Sequence, residues 1–323
     1  MSREKCILVE KSLAAPRPLP FRGANNSSFS LMCAAEGQLR KLVKNISLVL
    51  CFGAFPSICD GSSSPDAREI MQRSLAAVEK NSQAAHGYTF SSRVEKSEFD
   101  SGGRLKSKDI GSYDSVAIDG VIIQKLVAHN GRPLSSDEDR KENDRVRKLV
   151  DERKLETPQQ KSKRLAELER QRVKEIAFNR ELLDAFDFKL AGEEQIDGRL
   201  AWKVDATPRA GYQPHEMRTQ MLPHFKGRVW IDRQDYCWSK VDAEAIDSVT
   251  IGFFLLRMEK GAHLAFSQLR FDGGVWLPRN SSIKALIRVG LLKKINLDQD
   301  VSFSNQRKLP PGSNVVTARP DER

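Results

Sequence analysis

Hydrophobic and polar residues alternate along much of the chain between residues 225 and 308, a pattern that predicts β-strands with one apolar face. Two of these strands, 227–232 and 274–279, carry a tryptophan within an apolar run that follows glycine. A sheet face this apolar must pack under a helix, close on itself or hold a ligand. The strands expected here are 225–231, 237–246, 250–258, 262–271, 275–289 and 297–303.

The chain before residue 225 predicts a helix followed by further strands. Ile70, Met71, Leu75 and Val78 recur at helical spacing, and Asp66 can cap that helix at its start. Alternating segments follow, two pairs of them joined by Asp-Gly, which favours two-residue hairpin turns. The strands expected here are 88–96, a return strand ending at 118, 121–127, 186–190, 193–196 and 200–204.

Residues 137–180 interrupt the strands and are dominated by Lys, Arg, Glu and Asp. They predict two helices, the first capped by Ser135 or Ser136 and the second by Thr157. Acidic and basic residues nearly balance and form many opposite pairs four residues apart. This balance favours a solvated amphipathic helix pair over a basic arm that binds nucleic acid.

The order of these elements predicts an α+β fold. We expect an antiparallel sheet curved into an incomplete β-barrel, with covering helices and a charged helical insertion at about 134–183. Residues 60–308 are expected to form one domain, and residues 309–323 a disordered tail.

The first 59 residues predict an export signal. Three basic residues at 40–44 precede the apolar run 46–55, and Pro56 and small residues follow it. These three regions indicate a signal peptide at about 40–59, whose apolar run is too short to span a bilayer permanently. The residues before Cys51 and Cys59 fit a lipoprotein signal poorly, which favours a soluble periplasmic or exported protein over a lipid-anchored one.

The position of this signal is unusual, because it begins about forty residues into the chain. Translation from Met32 rather than Met1 would give a signal of ordinary position. Residues 1–31 are therefore interpreted as an over-called start or a disordered extension, and the two alternatives stay open.

Charge and cysteine content narrow the function classes. The first 59 residues hold eight basic and three acidic residues, which is half of the net charge of +10. The remaining chain is only mildly basic, so no nucleic-acid partner is expected. Four of the five cysteines also lie in this leader. Cys237 alone remains, so no disulfide within the body is expected.

The sequence contains none of the motifs that indicate a common reaction, such as a phosphate loop, a dinucleotide fingerprint or a nucleophile elbow. The five histidines show no metal-binding spacing. Cys237 follows the strand pattern of a small core residue, not that of a reactive thiol. We therefore expect no catalytic residue, no metal and no cofactor, although distant pairs of carboxylates remain open.

The strand motifs resemble the LolA/LolB-like superfamily of periplasmic lipoprotein-sorting proteins, in particular a bacterial branch of outer-membrane lipoprotein-sorting proteins. The resemblance covers roughly residues 66–308. It implies a half-barrel whose opening is covered by helices and whose apolar cavity shields acyl chains from water. The charged insertion departs from the family pattern. The residues that carry the resemblance are 130–135, 227–232, Lys260-Gly261 and 275–279.

The function expected from the sequence is non-enzymatic binding or carriage of a lipid or lipoprotein acyl group in an apolar cavity. Trp230, Phe254, Phe266 and Trp276 are the expected lining residues. Envelope proteins and peripheral contact with a membrane remain open as further partners. Two alternatives also stay open: an envelope scaffold module with a filled barrel and no ligand, and a secreted hydrolase that uses dispersed carboxylates.

Overall fold

The computed structural model describes residues 66–100, 102–118, 121–251, 256–289 and 293–309. The predicted extension and signal peptide lie outside these ranges, as do Phe254 and the predicted tail beyond residue 309. Within them, no helix combines the length and the apolar composition needed to cross a bilayer.

Three α-helices form in the described ranges where the sequence predicts helices, and a 3-10 helix precedes residue 225. The helices are α1 (Ala67–Ala85), α2 (Ser136–Lys154), α3 (Pro158–Ala185) and the 3-10 helix Met217–His224. The three predicted N-caps are confirmed. Asp66 accepts the N–H of Arg68. Ser135 and Thr157 form capping boxes with the residues three positions later, which satisfies N–H groups that the helix leaves unpaired.

The strands are β1 (Tyr88–Phe99), β2 (Leu105–Ile118), β3 (Val121–His129), β4 (Arg132–Pro133), β5 (Phe186–Ile196), β6 (Arg199–Pro208), β7 (Phe225–Asp232), β8 (Trp238–Ala245), β9 (Val249–Ile251), β10 (Leu256–Met258), β11 (His263–Arg270), β12 (Trp276–Val289) and β13 (Lys293–Lys308). The two strands predicted at 186–190 and 193–196 form the single strand β5. The strand predicted at 250–258 is wrong, because this segment forms two strands that pair antiparallel with each other. Its apolar run gave no turn signal strong enough to divide it.

All pairings between these strands are antiparallel, and the strands form one sheet. The order is β4-β3-β2-β1-β13-β12-β11-β8-β7-β6-β5, with β10 also paired to β12 and β9 to β10. The strands at its ends, β4 and β5, do not pair with each other, so the curved sheet stays open. The predicted α+β fold with an incomplete barrel is confirmed.

The main core lies between the helices and one part of this sheet. From α1, Ile70, Met71 and Leu75 are buried against β6, β7 and β8. The C-terminal part of α3 adds Phe178 and Leu182 to the same cluster. Full burial of each large apolar side chain stabilises the fold by about 1.5–3 kcal/mol, so this cluster fixes α1 on the sheet. We call the sheet face that α1 covers the concave face.

Candidate functional site

The concave face continues beyond the strands that α1 covers. On β12, Ala285 and Ile287 pack in the main core cluster, which identifies the concave side of that strand. Residues directly opposite each other on paired strands share a face, and side chains alternate along a strand. Leu297 lies opposite Ala285 on β13, so Gln299 and Val301 also face the concave side.

The same register extends the concave side to β1 and β2. Val94 lies opposite Val301, and Lys96 lies opposite Gln299. Ser92 lies opposite both Phe303 on β13 and Tyr113 on β2. We call this part of the sheet the concave patch; it comprises Phe90, Ser92, Val94, Lys96, Tyr113, Gln299, Val301 and Phe303.

The apolar members of the concave patch are only partly covered. Phe90 and Val301 are buried, whereas Val94 and Phe303 are half-buried. The rings of Phe90 and Phe303 meet edge to face, with centroids 5.2 Å apart. Among the described residues, the main core cluster under α1 and α3 contains none from β1, β2, β3 or β13. The patch therefore lies outside the core that α1 and α3 cover.

One row of polar side chains crosses the patch and is hydrogen-bonded within itself. The Ser92 hydroxyl donates to Oε1 of Gln124 at 3.3 Å, and Nε2 of Gln124 donates to the Ser115 hydroxyl at 3.2 Å. Because each group has a partner, this row adds little polarity to the surrounding apolar surface.

Tyr113 lies flat along β2. A Cβ atom placed on Gly111 would lie 2.5 Å from the Tyr113 hydroxyl oxygen, so only glycine leaves room for the ring. Burial of the ring, together with the carboxylates of Asp109 and Glu142, raises the pKa of Tyr113. Its hydroxyl therefore stays protonated at neutral pH and can donate a hydrogen bond.

Helix α2 closes the free edge of β3 beside the patch. The Glu142 carboxylate accepts the backbone N–H of Leu126 at 2.8 Å, and Arg145 donates to the backbone carbonyl of Gln124 at 2.6 Å. Glu142 and Arg145 also pair with each other at 2.6 Å. These two side chains satisfy backbone groups that an edge strand would otherwise expose.

The structure does not bring the predicted lining residues together. Phe266 lies on the concave face, half-buried against the main core, with its ring centroid 6.4 Å from that of Trp238. Trp230 lies on the opposite face, because its neighbours Val229 and Ile231 both belong to the core. Its indole N–H donates to Glu194 at 2.9 Å, and the Lys240 ammonium lies 4.4 Å from the ring centroid.

Trp276 is buried in an ion-pair network. Its indole N–H donates to Asp235 at 3.0 Å, and the same carboxylate oxygen also pairs with Arg199 and Arg270. The Arg199 guanidinium lies 5.9 Å from the Trp276 ring centroid and holds the buried Asp232 bidentately. A lining role stays a prediction for Phe266, which lies on the concave face, and for Trp276, which lies opposite Arg270 on the paired strand.

A separate open groove of about 600 Å³ lies between the helices, beside α1 and α3. Val173, Ile176 and Ala177 supply its apolar surface, and charged side chains of both signs surround them. At one end Glu181 accepts hydrogen bonds from Tyr212 and from the backbone N–H of His215. Burial opposes ionisation there, but these donors outweigh it and hold the pKa of Glu181 below its usual range.

The described residues bring together no group that indicates a reaction. No three His, Cys, Asp or Glu side chains in these ranges are placed to hold a metal ion. Cys237 is buried, and burial with the nearby Asp235 and Asp232 raises the pKa of its thiol to about 12. A thiol with so high a pKa stays protonated and unreactive at neutral pH.

The sequence pattern of the concave patch predicts strands without indicating which face of each strand is concave. The alternation of 88–96 predicts β1, but alternation alone gives two equivalent faces. Phe90 and Val94 were missed because only the pairing of β1 with β13 places them beside Val301 and Phe303. Large tryptophan side chains occur both in the wall of a binding site and in a packed core, so their size does not distinguish the two.

No protein-family model and no curated protein matches this chain. Solved structures do match. A DUF1329 family protein from Desulfovibrio piger has 9% identity and a TM-score of 0.27, covering 75% of this chain and 92% of that chain. A putative outer membrane lipoprotein-sorting protein domain from Vibrio parahaemolyticus has 10% identity and a TM-score of 0.30, covering 76% of this chain and 97% of that chain.

A LolA superfamily protein from Nitrosomonas europaea also matches, with 10% identity and a TM-score of 0.27, covering 76% of this chain and 94% of that chain. Because these TM-scores lie below 0.5, the likeness carries no conclusion about ligand, partner or reaction.

Proposed function

We propose that this protein is an exported cell-envelope protein that binds or carries a lipid or lipoprotein acyl group on its concave face, without catalysing a reaction. The observation that carries the proposal is the concave patch, where half-buried Val94 and Phe303 continue the apolar concave face beyond the helices. The signal-peptide pattern at about 40–59 supports a periplasmic or exported location.

Acyl binding needs little specific chemistry. Each methylene that leaves water contributes about 0.8 kcal/mol, so an apolar surface of sufficient length can hold a chain without polar contacts. A binding role without a reaction also agrees with Cys237, whose thiol is buried and stays protonated at neutral pH. It also agrees with the superfamily resemblance of the strand motifs.

A filled-barrel scaffold is the second candidate, and one observation favours it. Helix α1 occupies part of the concave face, and its Ser74 hydroxyl accepts the indole N–H of Trp238 at 3.0 Å inside the core. A protein of this kind would present its surfaces to envelope partners and would bind no ligand.

Lipid extraction distinguishes the two candidates. The mature form, purified from the envelope of cells, would be extracted and the extract examined by mass spectrometry. We expect a co-purifying acyl lipid, and we expect the delipidated protein to bind a fluorescent fatty acid.

A pair of variants on β13 locates the binding. Phe303→Asp places a charge on the concave patch and is expected to abolish fatty-acid binding, because an ionised group in an apolar site is costly. Ser302→Asp is the matched control on the other face of the same strand, where Ser302 is exposed. Loss of binding in neither variant, or the absence of any lipid, would favour the filled-barrel scaffold.

A further inference from the structure

Three polar side chains of the concave patch make no hydrogen bond with any described residue. They are Lys96 on β1, Tyr113 on β2 and Gln299 on β13. Lys96 and Gln299 are directly opposite each other on paired strands. Tyr113 lies over Gly111, which is opposite Val94, one position along the concave side of β1 from Lys96. The three groups therefore lie close together on one surface.

Gln299 is the most deeply buried of the three side chains. Its side chain is only 6% exposed, yet its amide has no hydrogen-bond partner within the described ranges. Its amide nitrogen and oxygen are not among the fully buried, unpaired polar atoms of the described residues, so they keep contact with solvent. The amide therefore lies on the concave face with hydrogen-bonding groups that a bound ligand can reach.

Lys96 supplies a positive charge on the same surface. Its side chain is half-buried and forms no ion pair with a described residue. The carboxylate opposite it on β2, Asp109, is bonded to His129 at 2.6 Å. Glu142, on the helix beside this edge, is paired with Arg145. The ammonium of Lys96 forms no direct ion pair with either acid and can donate to a ligand.

We infer that Lys96, Gln299 and Tyr113 bind the oxyanion head of an amphiphile, a carboxylate or a phosphate, whose acyl chain lies on Val94, Val301 and Phe303. This inference rests on the proposed function and specifies its ligand. An ammonium, an amide N–H and a phenol O–H are all donors, and hydrogen bonds to charged oxygen are the strongest that such groups form. A neutral or cationic head would leave the charge of Lys96 without a partner.

The test compares heads on one acyl chain. Binding of oleate, of oleoyl lysophosphatidate and of oleyl alcohol would be measured by calorimetry for the delipidated protein. We expect both anionic ligands to bind roughly tenfold or more tightly than the alcohol, the effect of a charge-assisted hydrogen bond in a partly dry site. The two anionic arms show whether carboxylate or phosphate is preferred.

The variants Lys96→Gln and Gln299→Leu are expected to reduce this preference roughly tenfold while binding of oleyl alcohol stays unchanged. Lys284→Gln is the matched control, because Lys284 lies on the other face of β12 in an exposed pair with Asp298. It is expected to bind all three ligands as the native protein does.

The outcomes separate two failures. Equal binding of the acids and the alcohol, with no effect of Lys96→Gln, would overturn the head-group inference and leave the proposed function standing. Binding of none of the three would overturn both. If Lys284→Gln reduced the preference for anionic heads as much as Lys96→Gln, the inference would also be overturned, because the preference would then depend on the net charge of the protein and not on Lys96.

Discussion

Each of three tryptophans donates its indole N–H to a particular acceptor. Trp238 donates to Ser74, Trp230 to Glu194 and Trp276 to Asp235. A buried indole needs such a partner, so these residues anchor separate parts of the sheet. At the scale of the residue, the tryptophans therefore stabilise the fold, and the smaller side chains Val94, Val301 and Phe303 form an apolar surface outside the main core.

The Trp238–Ser74 bond gives a stability prediction. Ser74→Ala leaves a buried indole N–H without an acceptor, which should lower the free energy of unfolding by about 1–3 kcal/mol. Urea titration would measure it. Ser82→Ala is the control, since Ser82 lies on the same helix and its hydroxyl donates only within α1. Equal effects of both substitutions would contradict the role given to the bond.

The Arg199–Asp232 ion pair gives a second stability prediction, which urea titration would also measure. Asp232 is 1% exposed, and burial raises its pKa, but Arg199 and two backbone N–H groups outweigh burial and lower that pKa overall. Arg199→Ala would leave a buried carboxylate without its counter-ion, at a cost of about 3 kcal/mol. Arg279→Ala, which breaks only the exposed pair with Asp197, should cost at most about 1 kcal/mol.

At the scale of the element, α2 acts as the cover of the β3 edge. Glu142 and Arg145 bond the backbone of Leu126 and Gln124 much as a further strand would. This gives the charged insertion a structural role that its composition did not reveal, because charge pairing along a helix indicates only a solvated face.

Glu142→Gln should weaken this cover. Burial of Glu142 opposes ionisation, but hydrogen bonds from Arg145 and from the Leu126 N–H outweigh it and lower its pKa. A lowered folded-state pKa contributes stability that is fully present above the unfolded value of about 4.3 and is lost as the pH falls through the folded value. The stability difference from the native protein should therefore be constant near neutral pH and shrink in acid.

Hydrogen exchange would locate the effect. The Leu126 amide should exchange faster in Glu142→Gln than in the native protein at the same pH. Glu152→Gln, on the exposed face of the same helix, is the control and should leave that amide unchanged. Unchanged protection of Leu126 in both variants would show that α2 does not hold the edge.

The sequence predicts elements of this fold better than their faces. Helix starts were predictable because Asp66, Ser135 and Thr157 cap by local hydrogen bonds. The side of each strand was not predictable, because it depends on pairings such as that of Val94 with Val301, more than two hundred positions away. For the same reason Trp230 matched the pattern of a lining residue while lying on the opposite face.

At the scale of the whole molecule, the concave face divides into two regions. Helices α1 and α3 pack on one region, from β5 to β12. The other region, on β1, β2 and β13, carries the concave patch with its apolar surface and three unpaired polar groups. A filled barrel and a binding site can therefore coexist on one curved sheet, and the free region is where a ligand would be bound.

Methyl NMR of the delipidated protein during titration with oleate tests this division most directly. Val94 and Val301 on the concave patch and Val204 and Ile231 in the main core provide separate reporters. We predict saturable shifts and contacts to the acyl chain at Val94 and Val301, with Val204 and Ile231 nearly unchanged. Saturation without any response at Val94 and Val301, or no binding at all, would contradict the account.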